Sequence, residues 1–385
     1  MNAGNAAYLA MDALWEAESS AIRWLQGGGH WLAYPLEAVT FLGSQGVIIV
    51  LLAAVFWSVH AGLGARLFVA VIASAVVNNL FKSLSYGSRP YWFDAQVTGY
   101  SHHSGFGMPS GHSQAAVVTY GYLAAKSGRR SLLWAAVAVI ALVAFSRIYL
   151  GVHYFSDVVV GLLVGGAILW AVLRYEDRVL AWWRSLDTVR WVSYLLAFAL
   201  VPCLAATAWQ FGLRGDWVVP AAEWIGATPA DPAGHTLAGL YTTCGALLGG
   251  IWGFTLLHRR GWYSAEGAIT ARVARFALGI SVVVLILVVE QVLFRDLTGF
   301  ATAPAAFAVY GAVAFWATYG APQMFVRSGL ATRPEEPAAT EESALSQGDS
   351  ESAESAASDQ VASEDTPGES PEQSTGDGFK GTDQT

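Results

Sequence analysis

The sequence predicts an all-α protein: a multipass transmembrane helical bundle of about nine spans, followed by a disordered acidic C-terminal tail. Charged residues are 13% of the 385 and hydrophobic ones 54%, against about 25% charge in ordinary soluble domains. Mean hydropathy is +0.43. Apolar residues gather in nine runs, each near the roughly 20 residues that cross a hydrocarbon core about 30 Å thick. The acidity is confined to one end. From Arg333 onward there are 14 acidic and 2 basic residues, a charge of −12, while the rest has 19 basic and 15 acidic, or +4. Net charge therefore says nothing of a nucleic-acid partner, and none is expected.

Residues 1–35 open "MNAGNAAYLAMDALWEAES", with acids and no basic stretch of the kind that begins a secretory signal. Leu9, Leu14, Ile22 and Leu25 suit an interfacial amphipathic helix, whereas Asp12, Glu16, Glu18 and Arg23 make a span costly. The nine runs follow at about 36–59, 65–84, 112–127, 131–150, 155–174, 191–211, 236–257, 273–294 and 303–325. The third is short and carries polar residues. Residues 36–175 form a first unit, 176–190 a basic cytoplasmic connector, and 191–326 four further spans of unassigned role. Residues 327–385, rich in Ser, Glu, Ala and Pro, cannot bury a core and read as a disordered cytoplasmic tail. Cys203 and Cys244 fall inside apolar runs without metal or disulfide spacing, as buried free thiols do.

Arg and Lys positions orient the bundle. Alternate connections hold Arg66; Lys126, Arg129 and Arg130; Arg174, Arg178, Arg184 and Arg190; Arg259, Arg260, Arg272 and Arg275; and Arg327 and Arg333 follow the last span. The opposite side has Arg23, Lys82, Arg89, Arg147, Arg214 and Arg295. An asymmetry of 14 against 6 puts the first set in the cytoplasm.

Three charged segments then meet at the outer face: "KSLSYGSRP", "MPSGHS" and "SRIYLGVHYFSD". Lys82, Arg89 and Arg147 are cations at a low-dielectric boundary, and unpaired each would cost about 2.5–3.5 kcal/mol at mid-bilayer. A bound dianion offsets that cost, and guanidinium forks match phosphate oxygens in pairs. Pro109 suits a first helical turn, where the amides of Ser110 and Gly111 are expected to face an anion. His153 and Asp157 stand four apart, on one face if helical, so the carboxylate fixes the imidazole tautomer and leaves the other nitrogen nucleophilic. His112 is then free to protonate a leaving alcohol.

In this order, Lys-x6-Arg-Pro, Pro-Ser-Gly-His and Ser-Arg-x5-His-x3-Asp, the segments resemble the tripartite signature of the type-2 phosphatidic acid phosphatase superfamily. That family includes membrane lipid phosphatases, isoprenyl diphosphate phosphatases, glucose-6-phosphatase, bacterial acid phosphatases and vanadium haloperoxidases. The resemblance covers about residues 36–175. It implies that Lys82, Arg89 and Arg147 bind phosphate oxygens, helped by Ser110 and Gly111, with His112 as general acid. It further implies that His153 attacks phosphorus to form a phosphohistidine, with Asp157 orienting it and Ser146 in support. No metal and no cofactor are expected. Asp94 and Asp157 are the only carboxylates in the two motif loops, too few for a metal cage.

The expectation is an integral-membrane enzyme that removes phosphate from an amphiphilic phosphomonoester or diphosphate at the outer face, its partners the lipid substrate and the bilayer. Phosphatidate, phosphatidylglycerophosphate and polyprenyl diphosphates stay open as substrates. The alternatives are a phosphotransferase, a vanadate-dependent haloperoxidase, and a non-catalytic lipid-phosphate binder or transporter. Other polar residues read more plainly. His102 and His103 are loop residues, with substrate contact the alternative; Asn78 and Asn79 are packing groups. Tyr149, Tyr154, Trp92 and Phe93 are expected in an interfacial aromatic belt. Glu290 is a lone intramembrane acid, either functional or snorkelling. "PAGHT" at 232–236 echoes "PSGHS" at 109–113, and chance is preferred over a degenerate duplication because no Arg/His/Asp set follows it.

Overall fold

The computed structural model describes residues 3–297 and 299–333, and among these every regular element is helical. The sequence-predicted tail beyond 333 lies outside the described residues. All nine apolar runs are helices. They run as α2 (Ala33–Phe41) with α3 (Gln45–Ala54), α4 (Ala61–Ser85), α6 (Gly111–Ser127), α7 (Arg130–Tyr149), α8 (Phe155–Ser185), α9 (Thr188–Ala208), α10 (Pro232–Arg259), α11 (Ile269–Phe294) and α12 (Thr302–Phe315) with α13 (Ala321–Arg327). A 24-residue helix, α1 (Ala3–Gln26), precedes them, and a single turn, α5 (Pro90–Phe93), lies in the loop after α4. Seven of the nine runs are long and apolar enough to cross a membrane. The exceptions are α6, with 17 residues, and the α12–α13 run, which a five-residue π turn at Trp316–Gly320 interrupts.

Local chemistry sets the ends that matter. Ser44 accepts from the Val47 amide to start α3, and Asp231 accepts from Gly234 at 2.8 Å to start α10, with Pro232 in its first turn. Gly128, at φ 65, closes α6 in the left-handed conformation that favours glycine at a helix C-terminus. Small residues also let helices touch. A Cβ at Gly245 would sit 2.1 Å from the Phe307 carbonyl oxygen, and one at Gly249 would sit 1.9 Å from that of Gly311. Glycine therefore brings α10 and α12 backbone to backbone, as membrane helices pack.

The two ends of the bundle differ. One gathers Arg66, which pairs with Asp177 at 2.6 Å and Glu176 at 3.1 Å, and Lys126, which pairs with Glu176. The other carries the long 86–110 loop, the short α7–α8 turn and the 214–231 connection. Helix α1 lies against this second end. Glu18 accepts from the Ser156 amide and hydroxyl at 2.9 Å each, Arg23 pairs with Asp94, and Gln26 donates to the carbonyls of Thr98 and Tyr149 at 2.9 Å. Trp15 stacks on Tyr154 with ring centroids 5.9 Å apart.

This placement of α1 corrects the aromatic-belt expectation. Tyr149, Tyr154 and Trp92 are buried in a core that also takes Trp15 and Trp224. The α1 helix and the 214–231 connection cover rings that would otherwise meet the lipid interface. Phe93 packs against the same cluster, half-buried. Cys203 and Cys244 are buried free thiols between α9 and α10, as expected. The second helical set is not a separate layer. Helix α10 packs on α4 as well as on α9 and α12.

Candidate active site

The site is assembled where the end of α4, the 86–110 loop, the start of α6 and the α7–α8 turn meet. Asp157 lies in the first turn of α8 and His153 in the turn before it. Asp157 Oδ2 stands 3.1 Å from His153 Nδ1 and accepts from the Tyr154 amide at 3.2 Å. The carboxylate thus claims Nδ1–H. Nε2 is left as an acceptor, and the Arg89 Nη1 donor lies 3.5 Å from it. His153 and Asp157 are each only 2% exposed. Gly107 makes room for the carboxylate, since a Cβ there would come 3.0 Å from Asp157 Oδ2 and 2.5 Å from the Ser88 carbonyl oxygen.

Carbonyl oxygens of residues 105–107 and of Val152 hold Lys82 and Arg89. Lys82 Nζ donates to Phe106 and Gly107 at 2.7 and 2.8 Å. Arg89 donates from Nε to Gly105 at 2.8 Å, from Nη2 to Phe106 at 3.1 Å and from Nη1 to Val152 at 2.9 Å. Such a fan of neutral acceptors fixes both side chains without neutralising them. Arg147, at the end of α7 and 1% exposed, donates from Nη1 to Thr40 Oγ1 at 2.8 Å. Its Nη2 lies 2.8 Å from His103 Nε2, and its Nε has no protein partner.

Lys82, Arg89, Gly111, His112 and His153 line one cavity, and His103 joins them. Arg147 stands behind His103, whose ring centroid is 6.2 Å from that of His112. His103 was read from sequence as a loop residue with substrate contact as the alternative. The structure puts it between a motif arginine and a motif histidine, a position set by the fold of the 94–110 loop and not by spacing. Thr40, the other partner of Arg147, carries no sequence signal at all.

One expectation fails. The Ser110 amide does not face the cavity, because it donates to the Asp157 carbonyl oxygen at 2.9 Å. The Ser110 hydroxyl lies 3.0 Å from that of Ser113, and the residue is fully buried. Ser110 therefore ties α6 to α8, while Gly111 opens α6 on the cavity wall. Ser146 likewise turns inward, donating to the Val143 carbonyl at 2.6 Å. The packing role expected of Asn78 and Asn79 holds. Asn78 donates to Pro109 at 3.3 Å and to Gln114 at 2.8 Å, and Asn79 to Ala75 at 2.9 Å. Glu290, on α11, accepts from its neighbour Gln291 at 3.3 Å.

Burial, then the nearby Arg89, Lys82, Arg147 and His103, hold the His153 imidazole well below its ordinary value. His103 is lowered to about 2 by burial first and then by Arg89, Arg147 and Lys82. Both are neutral at physiological pH. Among the described residues no three His, Cys, Asp or Glu side chains converge as a metal site would need.

Family comparisons agree with this geometry. The model of the PAP2 superfamily matches residues 63–180, which hold every motif residue above, and that of the "PAP2 superfamily phosphatase, transmembrane extension" matches residues 241–333. The chain belongs to the PAP2 superfamily. The family domain thus supplies the cations, the His153–Asp157 pair and His112, and the extension supplies most of α10 and the described residues after it. Phosphatidylglycerophosphatase B of Bacillus subtilis is 26% identical over 162 residues, covering 39% of this chain and 77% of that protein. Dolichyldiphosphatase of Saccharomyces cerevisiae is 29% identical over 146 residues, 34% of this chain and 61% of that one. Lipid A 1-phosphatase of Rhizobium etli is 33% identical over 109 residues, 27% of this chain and 46% of that one. The crystal structure of a transmembrane PAP2-type phosphatidylglycerolphosphate phosphatase from Bacillus subtilis is 22% identical, covers 46% of this chain and 98% of that one, and has a TM-score of 0.37.

Proposed function

We propose that this PAP2 membrane protein hydrolyses lipid phosphomonoesters or diphosphates at the outer membrane face, without a metal, through a phosphohistidine on His153. The observation that carries the reading is the His153 imidazole itself. Its Nδ1 is held by Asp157 and its Nε2 is directed at the cavity that Lys82 and Arg89 line. Nε2 attacks phosphorus, forming an N–P bond as the P–O bond to the lipid breaks. His112 gives its proton to the leaving oxygen. Water then attacks the phosphohistidine and gives its proton back to His112, the N–P bond breaks, and inorganic phosphate leaves. Lys82 and Arg89 bind the equatorial oxygens, replacing an ion in stabilising their charge. Arg147, backed by Thr40 and His103, completes the cationic wall. Arg147 and Asp157 are thereby separated in role: one binds charge, the other orients the nucleophile.

Positive-inside charge supports the outer face, since Lys82, Arg89, His153 and Arg23 share the end opposite the Arg66–Lys126–Glu176 cluster. The relatives named as phosphatases and diphosphatases of lipids support the substrate class. The test is phosphate release from a panel of lipid phosphates in EDTA. The wild type is expected to release phosphate, and His153→Ala to lose at least about a thousandfold in kcat, a nucleophile's whole contribution. Release by His153→Ala at the wild-type rate, or none by the wild type without added metal, would overturn the proposal.

A further inference from the structure

The three motif cations do not meet the cavity alike. Lys82 and Arg89 line it, whereas Arg147, 1% exposed, stands behind the ring of His103. Arg147 Nη2 and His103 Nε2 are 2.8 Å apart. A guanidinium can only donate, so Nε2 accepts and the proton of the ring sits on Nδ1. Burial, then Arg89, Arg147 and Lys82, keep the imidazole in this neutral form. Among the described residues no group accepts from Nδ1, and the half-buried ring is part of the cavity wall. A donor whose other nitrogen is bonded to a cation is polarised toward an anion.

The chain around this ring is fixed before any ligand arrives. Tyr91, buried in α5 two residues after Arg89, spends its hydroxyl on the His103 backbone. It donates to the His103 carbonyl at 3.1 Å and accepts from the His103 amide at 2.9 Å. On the other side, the Gly105 carbonyl holds Arg89 at 2.8 Å and the Phe106 amide is held by Thr236 at 3.0 Å. Locking the backbone in this way is what a ligand-binding side chain needs. The neighbouring His102 goes the other way. It is exposed, with its ring edge-on to that of Tyr91 at 5.8 Å between centroids.

We infer that His103 is a phosphate-contacting residue outside the three motifs: its Nδ1–H donates to a phosphate oxygen, and Arg147 acts on that oxygen through the imidazole. This rests on the proposed function, since the phosphate is the one that His153 attacks. Arg147 then needs no movement away from Thr40 and His103 to be felt in the cavity. A ring that merely props Arg147, or one that blocks it until substrate pushes it aside, would leave Nδ1 without a task.

The test measures binding of orthovanadate, an oxyanion of phosphate's shape, to the full chain in detergent by calorimetry, beside phosphate release from lipid phosphates. His103→Leu, which removes the donor, is expected to weaken binding and lower kcat/KM at least about tenfold, as loss of a hydrogen bond to a charged group does. His103→Asn places an amide nitrogen near the position of Nδ1 without reaching Arg147, and is expected to bind at least about threefold more tightly than His103→Leu. The control His102→Leu is expected to stay within about twofold of the wild type. Binding by His103→Leu at or above the wild-type affinity would overturn the inference, as a blocking ring requires. So would His103→Asn binding no better than His103→Leu, the mark of a ring that only props Arg147. Equal weakening by His102→Leu would also overturn it, since the loop as a whole would then be at fault. Each of these leaves the phosphatase reading standing where His153→Ala still abolishes release. A wild type that neither binds orthovanadate nor releases phosphate would overturn both. His103→Ala gives the same comparison if His103→Leu does not fold.

Discussion

At the residue scale, the proposed chemistry turns on which nitrogen of His153 is free. Asp157 holds Nδ1, so the lone pair of Nε2 is available only while the ring is neutral. Burial and the surrounding cations keep it neutral to pH values well below the ordinary imidazole range. A lowered pKa means that acid must go further before the nucleophile is lost. The acid limb of kcat/KM, which reports the free enzyme, is therefore predicted well below pH about 6.5, and a rate profile across pH 4 to 8 checks it. A limb at or above about 6.5 would mean that a group other than the His153 imidazole sets it. Motif residues were legible in the sequence because ionisable groups are costly in so apolar a chain and demand a reason. Their supports were not. The Ser110 amide is consumed by Asp157, and Thr40 and His103 reach Arg147 only through the tertiary fold.

At the element scale, the start of α10, ahead of the extension, touches the motif loop directly. Thr236, in the first turn of α10, accepts from the Phe106 amide at 3.0 Å while donating to Pro232 at 2.8 Å. The Phe106 carbonyl in turn holds Lys82 and Arg89. The 214–231 connection adds two backbone bonds, from Gly226 to Trp92 at 2.8 Å and from Ala227 to Tyr91 at 3.0 Å. Thr236→Val keeps the shape but strands the buried amide, a cost of about 1–3 kcal/mol. Turnover is predicted to fall up to about a hundredfold with folded protein retained, as steady-state kinetics on the purified variant would show. Unchanged turnover would mean the loop is held without α10. Apolar length made the spans legible, but not this contact. The "PAGHT" echo of "PSGHS" read best as chance, yet its threonine packs onto the loop beside the site, a position no internal motif could announce.

At the scale of the whole molecule, the two ends of the bundle carry different work. Paired charges close one end, while the other gathers the cations, the histidines and α1. The proposed orientation, from the positive-inside pattern, turns the second end to the outside. Cys203 and Cys244 are buried, so single exposed cysteines can report sidedness without background. Gln96→Cys is predicted to react with a membrane-impermeant maleimide in intact cells, and Arg129→Cys only after permeabilisation. The reverse pattern would turn the site to the cytoplasm. The bundle follows from hydropathy, and its proposed orientation rests on charge; both signals sum over many residues. How α10 packs on α4, α9 and α12 does not, since it depends on which helix faces meet.

The most direct test is to quench the enzyme in base during turnover of a lipid phosphate and map the phosphoryl group by mass spectrometry. The account predicts one phosphoryl group on the peptide holding His153, lost on His153→Ala and strongly diminished by Asp157→Asn. A phosphoryl group on another residue, or full turnover with none trapped on His153, would contradict it.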